Sequence, residues 1–178
     1  MYYFYSMGNV VIRIAGIADA ELIADMSRQT FYDTFAAQST RENMDKFMQE
    51  SFSKEALMKE VGEKDNIFLL AYDGQQPLGY VRLRTNNNPP DLTGTTAMEI
   101  ARIYTLKEAI GKGVGSSLME QCISVALENN CSTVWLGVWE NNDRAIAFYK
   151  KWGFEEFATH VFMLGDDAQT DLLMKKKL

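Results

Sequence analysis

The run Lys107-Glu-Ala-Ile-Gly-Lys-Gly-Val-Gly-Ser-Ser-Leu118 sets Gly111, Gly113 and Gly115 between the end of a β-branched stretch and the start of helical periodicity. Glycine permits the left-handed backbone of a sharp turn and removes the Cβ that would hold a ligand away. The first N–H groups of the following helix have no intrahelical acceptor, and the helix dipole adds partial positive charge there. Strand, turn and helix together therefore suit an anion such as a pyrophosphate. The spacing is not that of a Walker P-loop, because no Gly-Lys-Ser/Thr closes it, nor that of a dinucleotide fingerprint, whose third glycine falls elsewhere. On this run alone, a tight turn with no ligand is the alternative.

Outward from the turn, Ala97 to Thr105 reads as the strand that enters it, and Val114, Leu118, Cys122, Val125 and Ala126 keep helical spacing after it. Thr133 to Val138 is a short strand, Asp143 to Trp152 a helix stopped by Gly153, and Phe154 to Phe162 and Thr170 to Met174 are strands. Upstream, Asn66 to Tyr72 and Pro77 to Arg84 flank Asp73-Gly74-Gln75-Gln76 and should pair antiparallel. Earlier still come a strand at Val10 to Ile14 and helices opened by Asp19, Thr40 and Ser53. The order is strand, helices, three strands, helix, strand, helix, two strands, an α+β pattern.

A chain of 178 residues with 47% apolar residues supports one core. Residues 1–9 read as an N-terminal extension and 10–178 as the domain. No run approaches the roughly 18 to 20 uncharged apolar residues of a membrane span, and the opening residues lack the form of a signal peptide. A cytoplasmic protein with no membrane partner is expected. Cys122, Cys131 and the single His160 do not make a metal set, so no metal is expected. A formal charge of -6 disfavours nucleic acid and is compatible with a cationic substrate.

A second block, Asn141-Asn-Asp-Arg-Ala145-Ile-Ala-Phe148-Tyr149-Lys-Lys-Trp-Gly153-Phe154, follows the glycine turn. Ala145, Phe148 and Tyr149 lie at i, i+3 and i+4 and can face one groove. With this block the sequence resembles the GNAT superfamily of N-acetyltransferases, whose pyrophosphate motif is Gln/Arg-x-x-Gly-x-Gly/Ala. Gly113 and Gly115 match its glycines, and Ile110 stands where the family has Gln or Arg. The resemblance implies the GNAT fold, a mixed, mostly antiparallel twisted sheet of about seven strands flanked by helices. It implies acetyl-CoA as co-substrate, held at Gly111, Lys112, Gly113, Val114, Gly115 and Ser116 and paired to the main chain of Ile103, Tyr104 and Thr105. Asn142 would lie beside the pantetheine and the Tyr149 hydroxyl beside the sulfur.

Acetyl transfer needs a neutral amine, a polarised carbonyl and a proton for the departing thiolate. Tyr149 is the candidate acid. Glu99, on the strand entering the turn and alternating to the same face as Ala101 and Ile103, is the candidate base, and a purely structural Glu99 is the alternative.

The resemblance is nearest to the PaiA-type spermidine/spermine N-acetyltransferases. It is carried by Thr30-Phe-Tyr-Asp-Thr-Phe35, Glu42-Asn-Met44, Met98-Glu-Ile100, Arg102-Ile-Tyr104, Val134-Trp-Leu-Gly-Val-Trp-Glu140 and Gly165-Asp-Asp-Ala-Gln-Thr-Asp171. It implies a small polyamine as substrate, for which Asp33, Glu42 and Glu50 are candidate contacts, and it allows a homodimer. A peptide, protein N-terminal or antibiotic acetyltransferase, or a non-catalytic acetyl-CoA-binding regulator, are the competing readings.

Overall fold

In the computed structural model, which describes residues 5–7 and 9–178, one mixed sheet divides the helices into two groups. The strands are β1 (Tyr5–Met7), β2 (Val10–Ile14), β3 (Asn66–Asp73), β4 (Gln76–Arg84), β5 (Ala97–Thr105), β6 (Thr133–Trp139), β7 (Glu155–Leu164) and β8 (Asp167–Lys177). The helices are α1 (Ala20–Phe35), α2 (Arg41–Glu50), α3 (Lys54–Glu60), α4 (Val114–Glu128) and α5 (Asp143–Lys151). The order across the sheet is β1-β2-β3-β4-β5-β6-β8-β7, and β5 with β6 is its parallel pair. The fold is the expected α+β arrangement. Its eighth strand comes from the expected extension, where Tyr5 to Met7 pair with Val10 to Ile12 at the sheet edge. The rest of that extension below Asn9, residues 1–4 and 8, lies outside the described residues.

Strand alternation explains the two packed faces. Leu69, Ala71, Val81, Leu83, Met98 and Ile100 point to the side where α4 lays down Val114, Leu118, Cys122 and Ala126, giving the larger core. Phe68, Leu70 and Tyr80 point the other way, against Ala20, Ile23 and Met26 of α1. Further along α1, Phe31 stacks with Phe47 of α2 and contacts Phe52, and this aromatic cluster closes on Leu164.

Local signals worked as expected at most helix starts. Thr40 accepts from Asn43 N at 3.2 Å and Ser53 from Ala56 N at 3.3 Å. Asp19 precedes α1 but makes no side-chain cap bond to it, because its carboxylate is held by Arg13 at 2.6 and 2.8 Å and by Gly16 N at 2.9 Å. An ion pair across a strand end outcompetes the cap.

The last hairpin is longer than expected. Both strands run to a tight turn at Gly165 and Asp166, and β8 is inserted between β6 and β7. Gly165 has φ +64, and a Cβ there would fall 2.7 Å from Asn43 Cα. The hairpin tip thus docks on α2, where Asn43 Oδ1 accepts from Asp166 N at 3.1 Å and Lys46 pairs with Asp166 at 2.6 Å.

Candidate active site

The parallel pair opens the site. β5 and β6 share a ladder only at Ala97–Thr133, Met98–Val134 and Glu99–Trp135, and then the strands diverge. Beyond that point Ile100 to Thr105 on one side and Gly137 to Trp139 on the other line a cleft of about 1130 Å3. A backbone edge released from its neighbour offers N–H and C=O groups to an extended ligand, as an added strand would receive them.

At one end of the cleft lies the glycine turn. Gly111 and Gly113 have φ +82 and +83, and nothing would touch a Cβ on either, so their requirement is conformational. Gly113 is the N-cap of α4, no side chain caps the helix, and no acidic residue sits in its first turn. The leading N–H groups are left for an anion. Val114 turns its side chain into the core, so only its main chain faces that end. Gly115 lines the cleft, where a Cβ would sit 3.9 Å from Phe148 and 4.0 Å from Thr105. Lys112 and Ser116 are exposed around the turn, and Ile110, 38% exposed, presents an apolar side chain where the family has a polar one.

Ala145, Phe148 and Tyr149 do face the cleft together. α5 is positioned by Asn142, whose Oδ1 accepts from Ala145 N at 3.2 Å, so the residue expected beside the pantetheine spends its oxygen on the cap and keeps its amide N–H groups. Tyr149 is buried between Phe148 and Phe154. Burial, and secondarily Cys122, pushes its phenol far above the ordinary value, so it stays protonated and able to donate. Cys122 is itself raised by burial and serves packing.

On the floor of the other half, β5 carries a bulge. Arg82 pairs with Arg102 and Leu83 with Ile100, so Ala101 is the extra residue and the alternation resets across it. The expected common face of Glu99, Ala101 and Ile103 is therefore not observed. Ile103 joins Met98 and Ile100 against the α4 core, while Glu99 shares the cleft side with Arg102 and Tyr104. Glu99 is 7% exposed, and its oxygens are already engaged. Arg84 donates to them at 2.6 and 2.8 Å and Asn87 at 2.7 Å. Beside it, Glu60 is shared by Arg82 at 2.6 Å and Arg102 at 2.5 Å.

Of the expected acceptor contacts, Asp33 lines the cleft, and Glu42 and Glu50 are exposed on α2 outside the lining. Asp171 of β8 lines it instead. It stands opposite Trp139 on β6 and His160 on β7, its Oδ2 3.5 Å from where a Cβ on Gly137 would be. Among the described residues its carboxylate has no hydrogen bond or ion pair. Burial raises its pKa, against the opposing charge of His160. Tyr104, raised first by burial, also feels Tyr80, Tyr149 and Asp171, which places that carboxylate within the field of the Tyr104 phenol. Trp135 Nε1 and Gln169 Oε1, a buried donor and acceptor on the same walls, have no partner among the described residues. In the sequence Asp171 closes the Gly165–Asp171 segment that carries the resemblance and falls in an expected strand, with no site role assigned to it, since its face depends on β8 entering between β6 and β7. Among the described residues no cluster of three metal-ligating side chains occurs, and no helix is long and apolar enough to cross a membrane.

A strand pair opened beside an uncapped, glycine-led helix, with a buried phenol midway, is the architecture of a CoA-dependent acyltransferase. The model of the acetyltransferase (GNAT) family matches residues 27–154, and the chain belongs to that family. It is an acetyl-CoA-dependent N-acetyltransferase. An "uncharacterized N-acetyltransferase in pepI 3'region" of Lactobacillus delbrueckii subsp. lactis is 36% identical over 172 residues, covering 96% of this chain and 98% of its own. The spermidine N(1)-acetyltransferase of Thermoplasma acidophilum is 24% identical over 173 residues, covering 95% and 98%. Among solved structures, the PaiA N-acetyltransferase of Thermoplasma acidophilum in complex with coenzyme A has a TM-score of 0.76 at 24% identity, covering 95% and 99%. A ribosomal-protein-alanine N-acetyltransferase from Brucella melitensis has a TM-score of 0.70 at 21% identity, covering 94% and 99%.

Proposed function

We propose that residues 10–178 form one N-acetyltransferase domain that acetylates a terminal amine of a small polyamine, spermidine being the first acceptor to test. The observation that carries this is a pair of carboxylates, Asp33 and Asp171, on the walls of one cleft, neither in an ion pair among the described residues. They can hold two ammonium groups of one flexible cation, and Phe35 and Trp139, 5.9 Å apart, supply an apolar surface for the methylenes between them. The named activity of the Thermoplasma relative supports the same choice. Acetyl-CoA would place its pyrophosphate at the α4 terminus and its thioester at the opened edge of β5, with Tyr149 donating to the leaving sulfur. Glu42 and Glu50 have no part in this reading.

A second reading has its own observation. Arg82 and Arg102 share the single carboxylate of Glu60, leaving a surplus positive charge beside the cleft. Burial, then the charge of Arg102, pushes Arg82 down to about 10, and an added anion would relieve it. An acidic peptide N-terminus would supply one. Thiol release from acetyl-CoA with spermidine, spermine, acidic and neutral peptides and an aminoglycoside decides between them. Polyamine turnover above all others is expected; peptides alone being acetylated would overturn the proposal.

A further inference from the structure

We infer that Asp171, and not Glu99, receives the acceptor ammonium and takes its proton. The inference rests on the small-amine reading only in requiring that the acceptor be an amine, and it holds for whichever amine is used.

Of the four carboxylates that line the cleft, Asp33 and Asp91 are exposed to solvent, which leaves Glu99 and Asp171 as the shielded ones. Glu99 meets three donors, two of them from the guanidinium of Arg84. Protonating Glu99 would break an ion pair that only 9% of its side chain exposes to water. Asp171 is the reverse case: partly buried, on the cleft surface, and free of any ion pair among the described residues. Gly137, two residues along β6 from the Trp139 that pairs with Asp171, lies beside its carboxylate without a side chain, and the Tyr104 phenol feels its charge. Such a carboxylate gains more from an arriving ammonium than it would in water, because less solvent competes.

The protons balance as follows. Asp171 accepts one proton from the ammonium, and the nitrogen lone pair forms a bond to the acetyl carbonyl carbon as the carbon–sulfur bond breaks. Tyr149 gives its proton to the departing sulfur. The second proton leaving nitrogen restores Tyr149, and the Asp171 carboxyl releases its own to solvent.

Asp171 must be ionised to act, so kcat/KM rises with pH through its titration. The titratable groups facing it are His160 on β7 and Tyr104 on β5, with Arg102, Tyr149 and Asp33 elsewhere on the same cleft, while β6 presents Trp139 and Gly137 without charge. The acid limb of the pH profile should vanish in Asp171→Asn and persist in Glu99→Gln and His160→Gln. Asp171→Asn should lower kcat/KM about 10²- to 10⁴-fold near neutrality, and the residual rate should climb about tenfold per pH unit as free amine accumulates. Formate, but not chloride at equal ionic strength, should restore Asp171→Ala.

A measurement without turnover accompanies these. Calorimetry of the best acceptor into CoA-bound protein should show about ten- to a hundredfold weaker binding in Asp171→Asn. Unaltered stabilisation by acetyl-CoA would show that the variant is folded. Asp171→Asn keeping both the acid limb and the amine affinity overturns the inference, as does loss of the limb in Glu99→Gln alone. If only a peptide is acetylated, the polyamine proposal falls while Asp171 is tested on that peptide.

Discussion

Tyr149 shows how much one burial event decides. The phenol sits where α5 presents Ala145, Phe148 and Tyr149 to the cleft, and burial holds its proton in place. A group with so high a pKa is a poor base and a usable acid towards a thiolate formed beside it. Tyr149→Phe keeps the ring between Phe148 and Phe154 and removes only the donor. It is expected to lower kcat about a hundredfold with little change in the acetyl-CoA KM. Steady-state kinetics over both substrates measure the split, and an unchanged kcat would remove Tyr149 from the proton path. The glycine turn and the Tyr149 block were legible because their geometry is local: a φ near +80° demands glycine, and i, i+3, i+4 spacing fixes a helix face. The partners of Glu99 were not, because Arg84 reaches it only after β4 and β5 pair, and the bulge at Ala101 has no local sequence mark.

At the scale of elements, the same division holds. Caps at Thr40 and Ser53 and the β3–β4 hairpin could be read from neighbouring residues. The insertion of β8 between β6 and β7 could not, since nothing in a strand's alternation names its neighbours. That insertion turns Asp171 into the cleft and gives Gly165 its meaning as the point where the hairpin tip meets α2. Gly165→Ala combines a left-handed φ with a Cβ 2.7 Å from Asn43 Cα. It is expected to cost about 2 kcal/mol or more, read from denaturant midpoints. Because Phe47 of α2 lines the cleft, the displaced helix should also raise the amine KM while sparing that of acetyl-CoA. The opposite pattern would mean that the tip does not govern the acceptor half. α3 is tied by Glu60 to the sheet in a similar way. Glu60→Gln leaves two buried guanidiniums without their shared carboxylate and should destabilise by about 3–5 kcal/mol, measured by thermal or chemical unfolding.

For the molecule as a whole, the sheet joins two cores that are separately packed, and the cleft opens where β5 leaves β6 between them. An occupant of that cleft touches α4 and α5 on one side and the α1–α2 cluster on the other, so binding is coupled to global stability. At a hundredfold excess over Kd, acetyl-CoA should add about 2.7 kcal/mol. For a chain of this size each kcal/mol raises Tm by about 2–4 °C, giving a shift of roughly 5–11 °C. The α4 terminus makes the shift selective. CoA should stabilise much as acetyl-CoA does, whereas pantetheine, which lacks the pyrophosphate, should do little at the same concentration. Replacing Ile110 by arginine adds a donor at the exposed edge of that anion site and should enlarge the CoA shift without altering the response to pantetheine. Equal stabilisation by pantetheine and CoA would show that the glycine turn is only a turn, and that the affinity resides in the opened strand.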